Sequence, residues 1–218
     1  MKAYTVLLTS LVLCATAANA QTQDFMPDFE VSLIGGYQFG GAMDESKKVQ
    51  HEDVFGESLG IEGSGKLGAI VDYRLGPALL LELSYDRHDS KFNFHNQDQT
   101  VIMKVSDLMQ HVYQAGLMYN WGGSGPVQPY IGGTIGLTNL VPKEDFSSEL
   151  LIAGAPVFGI KTFASKHFAL RFQSRLLVTY MPRSDDYFSS PSGQGHYNHT
   201  INSYMTQIDF SLGVTIGL

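Results

Sequence analysis

The segment "IDFSLGVTIGL", residues 208–218, decides the fold of this 218-residue chain. Apolar residues occupy every second position of the segment, and polar residues or glycine fill the positions between them. This period-two alternation is typical of a strand with one apolar face. A long apolar strand with an unpaired edge is an aggregation hazard. We therefore expect the strand to pair with the first strand of the chain and to close a barrel whose apolar face meets lipid.

Seven further segments resemble the final one. Six of them alternate clearly, whereas the phase of residues 150–163 is ambiguous. No segment shows an apolar repeat of 3.6 residues that is long enough for a convincing helix. The sequence thus predicts an all-β chain with eight strands, in residues 29–39, 59–75, 79–88, 109–121, 128–137, 150–163, 168–180 and 208–218.

The connections between these segments alternate in length. Long polar connections cover residues 41–58, 87–107, 139–150 and 182–200, whereas the short ones are "RLGPA", "GGSGP" and "ASKH". An up-and-down antiparallel barrel produces this alternation when all long loops leave from one end. Outer-membrane barrels have long outer loops and short periplasmic turns. We therefore predict an antiparallel up-and-down transmembrane β-barrel with four long extracellular loops and both termini in the periplasm.

Aromatic residues fall into two groups that support a membrane location. One group lies beside the long loops and the other beside the short turns or the N-terminus. Two aromatic belts that flank an apolar band are typical of the two membrane interfaces. The first group is Tyr37, Phe39, Tyr85, Tyr180 and Tyr204, and the second is Phe29, Tyr73, Tyr119, Trp121 and Phe168.

The N-terminal stretch "MKAYTVLLTSLVLCATAANA" predicts export. Lys2 precedes a short apolar run, and Ala18-Asn19-Ala20 forms an A-x-A cleavage site, so residues 1–20 are expected to be a secretory signal peptide. Residues 21–218 then form a single barrel domain. The only cysteine, Cys14, lies within the signal, so we expect no disulfide in the mature protein. The formal charge of −7 argues against nucleic-acid binding.

Two segments carry a resemblance to a known family. "PVQPYIGGTIGL" and "FGIKTFASKHFALRFQSRL" are similar to strands of the small eight-stranded outer-membrane barrels of Gram-negative bacteria, the OmpA/OmpX-like superfamily. The final segment is similar to the signal that the barrel-assembly machinery reads, although Leu218 stands where a terminal Phe is usual. The resemblance implies the fold and an outer-membrane location, with membrane lipid, lipopolysaccharide and the assembly machinery as partners. It does not imply a particular function.

The inward face of the predicted barrel carries acids and bases. Eight strands enclose an interior that side chains can just fill, so unpaired charges there would be costly and should pair. Asp209 is a plausible partner of Arg171 or Arg175, and Glu30 is another candidate. A polar network that plugs the barrel is favoured over a gated ion path. The predicted lumen residues are Glu30, Glu62, Lys66, Asp72, Arg74, Glu82, Asp86, Arg171, Arg175 and Asp209.

One stretch raises an enzymatic alternative. "GHYNHTIN" is similar to the His-aromatic-Ser-Asn motif of outer-membrane barrels that deacylate lipid A, with Asp209 as a possible acid. Asn198 stands at the serine position and cannot act as the nucleophile, so the sequence argues against catalysis. His51, His88, His95, His196 and His199 are assigned to outer loops, where their spacing does not predict a metal site. We expect no catalytic residue, no metal and no cofactor.

The outer loops carry the remaining functional possibilities. Acids outnumber bases in the first and third loops, which could hold divalent cations that bridge lipopolysaccharide, or bind a basic host or envelope ligand. A solvated acidic rim is the simpler alternative. The sequence therefore predicts a non-enzymatic outer-membrane barrel with a structural or surface-interaction role. The alternatives are a narrow gated channel and, after it, a lipid A deacylase-like hydrolase.

Overall fold

The computed structural model describes residues 26–43, 58–95, 101–143, 148–184 and 201–218. The predicted signal peptide and most of the predicted long loops lie outside these residues. Within them the only regular secondary structure is β-strand. The described part of the chain has no helix that is long and apolar enough to cross a membrane.

Ten strands form one antiparallel sheet. Their bounds are β1 Phe29–Phe39, β2 Ala42–Met43, β3 Ser58–Ile61, β4 Ser64–Arg74, β5 Leu79–His95, β6 Val101–Asn120, β7 Val127–Pro142, β8 Glu149–Ser165, β9 Phe168–Ser184 and β10 Ile201–Gly217. The two shortest strands continue longer ones. β2 follows β1 and pairs with β10, and β3 precedes β4 and pairs with β5. The barrel wall is therefore built from eight strands.

The wall closes as the alternation predicts. β1 pairs with β10 along its length, from Glu30 opposite Gly217 to Phe39 opposite Ile208. Every other neighbour in the wall is consecutive in the chain and antiparallel. Closure gives the backbone of the final strand a partner on each side and removes the free edge. The predicted eight-stranded antiparallel up-and-down barrel is thus confirmed.

The two faces of each strand differ in polarity. On β10, Leu212 is 68% exposed, whereas Asp209 and Ser211 are buried on the inner side. The outward apolar run Ile208–Ile216 covers nine residues, which at about 3.3 Å per residue and a tilt of about 40° span roughly 23 Å along the barrel axis. Transmembrane barrels have an apolar band of about 25 Å. The outer surface therefore has the height and polarity that a bilayer requires.

The two predicted aromatic groups lie on the outer surface. All ten side chains are at least 36% exposed, and the two groups sit toward opposite ends of the strands. Neighbouring rings touch in the first group, where Tyr180 and Tyr204 have ring centroids 5.4 Å apart. We call the end near these two rings the loop end, because β2, β5, β7 and β9 end there and the predicted long connections follow them in the sequence. The opposite end is the turn end.

One predicted loop is wrong in extent. The sequence predicts a long polar loop over residues 87–107, but β5 continues to His95 and β6 begins at Val101. The two strands pair with each other up to His95 opposite Val101, with two irregularities in register. The segment can remain a paired hairpin despite its mixed polar and apolar side chains, because it extends beyond the apolar band. There, neither face has to meet lipid, so strand pairing needs no apolar face.

The structure also resolves the ambiguous phase of residues 150–163. Leu151, Ala153, Ala155 and Val157 face the interior, whereas Ile152 and Phe158 face outward. Both faces of β8 are therefore largely apolar at these positions. Alternation carries no signal in such a strand, which explains why the sequence left its phase open.

Candidate functional site

The interior of the barrel holds two groups of charged side chains. The first lies toward the turn end, where strand ends next to the short turns supply its members. We call it the turn-side cluster. It consists of Glu30, Asp72, Arg74, Glu82, Lys161 and Arg171.

Lys161 and Arg171 organise the turn-side cluster. Lys161 Nζ donates to Glu30 Oε2 at 2.6 Å and to Asp72 Oδ2 at 2.7 Å. Arg171 Nη1 donates to the same Asp72 oxygen at 2.6 Å, and Arg171 Nη2 donates to Glu82. Hydrogen bonds between charged groups are shorter and stronger than neutral ones. These bonds join strands β1, β4, β5, β8 and β9 across the lumen.

Tyr130 on β7 fixes the position of Arg171. Arg171 Nε donates to the Tyr130 hydroxyl at 2.9 Å, and that hydroxyl donates to Gln173 Oε1 at 2.8 Å. The guanidinium also lies over the aromatic ring, with its central carbon 5.0 Å from the ring centroid. A cation over an aromatic face is stabilised by the ring quadrupole. The tyrosine therefore adds a sixth strand to the connected side chains.

The second group, which we call the loop-side cluster, consists of Lys66, Asp86, Arg175 and Asp209. Arg175 Nε donates to Asp209 Oδ2 at 2.8 Å, and Arg175 Nη2 lies 2.6 Å from Asp86 Oδ2. Lys66 Nζ donates to Asp209 Oδ1 at 2.5 Å and lies 3.6 Å from Asp86. Each base thus contacts both acids. The expected pairing of Asp209 with an arginine is present with Arg175, whereas Arg171 pairs with Asp72 and Glu82 instead.

The charges in both clusters balance. The turn-side cluster has three acids and three bases, and the loop-side cluster has two of each. All ten side chains are at most 7% exposed. A balanced buried network can satisfy its charges internally, whereas a single unpaired charge in the same place would be strongly unfavourable. The described part of the lumen therefore contains a neutral polar plug.

Two uncharged layers lie farther toward the loop end. Gln110 Nε2 donates to Gln207 Oε1 at 3.1 Å, and Gln38 Nε2 donates to Gln110 at 3.4 Å. Beyond these glutamines the inward positions turn apolar, and each side chain there is at most 4% exposed. A water-filled passage would leave its lining side chains accessible to water, so the described lumen is closed at all these levels. The apolar layer comprises Ile61, Leu108, Leu140, Leu151, Met181 and Met205.

The placement of Glu62 among the lumen charges is wrong. Its side chain is 51% exposed on the outside of the barrel and lies 3.9 Å from Lys91. The cause is a register shift between β3 and β4. Ile61 pairs with Phe92 and Lys66 with His88, so the strand carrying Glu62 advances one residue more than its partner. One extra residue moves the following side chains to the opposite face.

The predicted set of lumen charges omits two ionisable side chains that face the interior. Lys161 lies in the segment whose phase was ambiguous, and only the neighbouring strands reveal that it faces the acids. His88 closes the polar side of the predicted 79–88 strand but is also counted among the loop histidines, and the structure places it in the lumen on β5, 1% exposed. The alternation of Glu82, Ser84 and Asp86 predicts an inward side chain at position 88. That alternation was the better guide, because β5 extends farther than expected.

The structure offers no support for the enzymatic alternative. The motif from His196 to His199 lies outside the described residues. Asp209, its possible acid, is buried and paired with Lys66 and Arg175, so it does not lie free at the loop end. The described residues contain no group of three or more histidine, cysteine, aspartate or glutamate side chains that could hold a metal ion.

Comparison with known proteins supports the fold. No protein-family model and no curated protein matches the sequence. Among solved structures, Neisserial surface protein A superposes with a TM-score of 0.56 at 16% identity, over 88% of this chain and 97% of that one. The outer membrane protein OprG from Pseudomonas aeruginosa superposes with a TM-score of 0.58 at 14% identity, over 90% and 99%. This chain therefore has the fold of the small eight-stranded outer-membrane barrels.

Proposed function

We propose that this chain is a closed outer-membrane barrel that conducts no ions and acts through its structure and through contacts at its loop end. The observation that carries the proposal is the neutral plug. Five acids and five bases on six of the eight wall strands neutralise one another inside the described part of the barrel. A conducting pore needs an accessible, hydrated path, whereas here the polar side chains bond to one another.

The membrane part of the proposal rests on the outer surface. The apolar band, its height and the two aromatic belts match what a bilayer demands of a barrel wall. Under this proposal the loop end faces outward and the chain termini face the periplasm. The surface that can meet other molecules is then the rim at the loop end, together with the hairpin of β5 and β6.

Planar-bilayer recording tests the closed lumen. The mature protein is refolded, and barrel formation is verified by heat-modifiable migration in gels, since closed barrels resist unfolding by detergent. We expect no stable unitary currents from bilayers that contain the folded protein. Reproducible current steps that scale with the amount of folded barrel would favour the channel alternative and overturn this part of the proposal.

A second measurement tests the non-enzymatic part. Lipid A is extracted from cells that express the protein and from cells that carry the empty vector. We expect lipid A of identical mass from both, because the deacylase-like motif has Asn198 at the serine position. In addition, Asp209 is already paired with Lys66 and Arg175. A mass loss that corresponds to one acyl chain would establish the hydrolase alternative.

A further inference from the structure

The outward face of β5 changes character at one position. From the turn end it carries Leu79, Leu81, Leu83 and Tyr85, and the next outward residue is Arg87, whose side chain is 49% exposed. Interfacial tyrosines lie at the level of lipid headgroups. Arg87 is therefore placed just above the apolar band, where the phosphate groups of membrane lipids lie.

Arg87 is one member of a row of hydrogen-bond donors across three strands. In the register of the sheet, Arg87 stands opposite His111 on β6, and His111 stands opposite Asn139 on β7. All three side chains point outward, since they share the phase of the exposed residues on their strands. Neighbouring strands lie about 4.8 Å apart, so the row spans roughly 10 Å. Adjacent members are close enough to contact one phosphate group together.

Tyr85 holds the histidine of this row in place. Its hydroxyl lies 2.9 Å from His111 Nδ1, and the two rings stack with centroids 6.1 Å apart. When the hydroxyl donates to Nδ1, the proton of the neutral imidazole resides on Nε2. The Nε2 N–H of His111 is then a hydrogen-bond donor whose orientation is fixed by Tyr85. Tyr113 packs beside Tyr85 with ring centroids 5.1 Å apart and continues the aromatic floor beneath the row.

The contact between Arg87 and Asp89 leaves the guanidinium able to bind a further anion. Asp89 lies two residues along the same strand, with contacts of 3.3–3.4 Å to Nε and Nη2. Both side chains are about half exposed, at 49% and 55%. Exposed ion pairs of this kind contribute little free energy. The guanidinium has five N–H donors, so a phosphate can be bound beside or in place of this carboxylate.

We propose that Arg87, His111 and Asn139 bind a phosphate group of lipid A, the phosphorylated glycolipid of the outer leaflet. The site rests on the membrane orientation proposed above. Arginine supplies paired donors that match a phosphate, and the histidine and asparagine extend the contact across the two neighbouring strands. Tyr85 and Tyr113 lie below, where the first atoms of the acyl chains enter the bilayer.

The test measures lipid A binding to the refolded mature protein in zwitterionic micelles by native mass spectrometry. We expect Arg87→Gln and His111→Gln each to weaken binding of diphosphorylated lipid A by about tenfold or more. Lys91→Gln is the matched control, since Lys91 is 53% exposed on the same strand but lies above the row beside Glu62. It should change binding by no more than about twofold, as expected for a diffuse charge effect.

Two ligand controls identify the source of the phosphate. Dephosphorylated lipid A should bind weakly to the wild type and to Arg87→Gln alike, and free inorganic phosphate should not displace the bound lipid. Equal weakening by Lys91→Gln, or equal binding of dephosphorylated lipid A to the wild type, would overturn the site. Displacement by free phosphate would overturn the lipid as its source. Heat-modifiable migration of each variant reports barrel folding separately, so a failure of the site is distinguishable from a failure of the proposed barrel.

Discussion

Arg175 and Asp209 face each other on adjacent strands β9 and β10 and join through an Nε to Oδ2 bond of 2.8 Å inside the barrel. Asp209 also accepts from Lys66, and Arg175 also contacts Asp86. The pair therefore belongs to a closed set of two acids and two bases. Its stability depends on balance, because removal of any one member leaves an excess charge without access to water.

Asp209→Ala should strongly destabilise the barrel. The substitution leaves Lys66 and Arg175 with Asp86 as their only acid in the loop-side cluster, and an uncompensated buried charge costs roughly 3–5 kcal/mol. We expect a loss of this size in the free energy of unfolding, measured by urea titration of protein refolded in lipid vesicles. Asp89→Ala, which removes a half-exposed carboxylate beside Arg87, should cost less than about 1 kcal/mol.

A double-mutant cycle separates charge balance from lost packing. Asp209→Ala combined with Arg175→Met removes one charge of each sign and leaves Lys66 with Asp86. The double variant should lose much less free energy of unfolding than the sum of the two single variants. Additive losses would show that the two side chains do not interact across β9 and β10.

Leu212 and Ser211 test the two faces of the final strand. Leu212 is 68% exposed on the outer surface, so Leu212→Arg should cost roughly 2–4 kcal/mol near the bilayer midplane. Ser211 is buried on the lumen side, and Ser211→Ala removes a single small hydroxyl, so its cost should be far smaller. Both are measured by vesicle unfolding. Equal stability of the two variants would contradict the assignment of the faces.

Most of the lumen could be predicted from the sequence because inward and outward positions differ in polarity. Where a strand has one polar and one apolar face, alternation identifies every inward charge, as with Asp72 and Arg175. The inward position of Lys161 is not predicted, because the inward residues near it, Ala155 and Val157, are as apolar as the outward Ile152 and Phe158. In a strand with two apolar faces, alternation does not distinguish inward from outward positions. Only the pairing with neighbouring strands shows which side chains face the lumen.

The prediction for Glu62 is wrong for a different reason. Alternation assumes that a strand advances in step with its neighbours, and one additional residue between β3 and β4 breaks that assumption. The sequence "IEGSGK" at residues 61–66 has two glycines that permit such an irregularity, but it does not state where the phase changes. The pairing of charges across the lumen was likewise beyond the sequence, because it depends on the tilt and stagger of all eight strands.

Cysteine labelling tests the orientation of the barrel. The only cysteine of the chain lies in the predicted signal, so single cysteines can be introduced into a cysteine-free mature protein. Lys91→Cys and Lys143→Cys, at exposed positions of the loop end, should react with a membrane-impermeant maleimide on intact cells. Ser124→Cys and Lys166→Cys, in turns of the opposite end, should react only after the outer membrane is permeabilised. The reverse pattern would invert the proposed topology.

Gly159→Ala should loosen the turn-side cluster although it removes no charge. A Cβ atom at Gly159 would collide with the ring and hydroxyl of Tyr130 and approach the Phe172 carbonyl oxygen to 2.7 Å. The ring must then move, and its hydroxyl loses the positions it holds between Arg171 and Gln173. Overpacking of this kind typically costs about 1–3 kcal/mol. We expect that loss in vesicle unfolding, whereas Gly133→Ala is the matched control on neighbouring β7, since its Cβ meets only the Ala155 carbonyl oxygen, at 3.9 Å. If both variants unfold at the same urea concentration as the wild type, Tyr130 does not hold Arg171 in the way that its hydrogen bonds indicate.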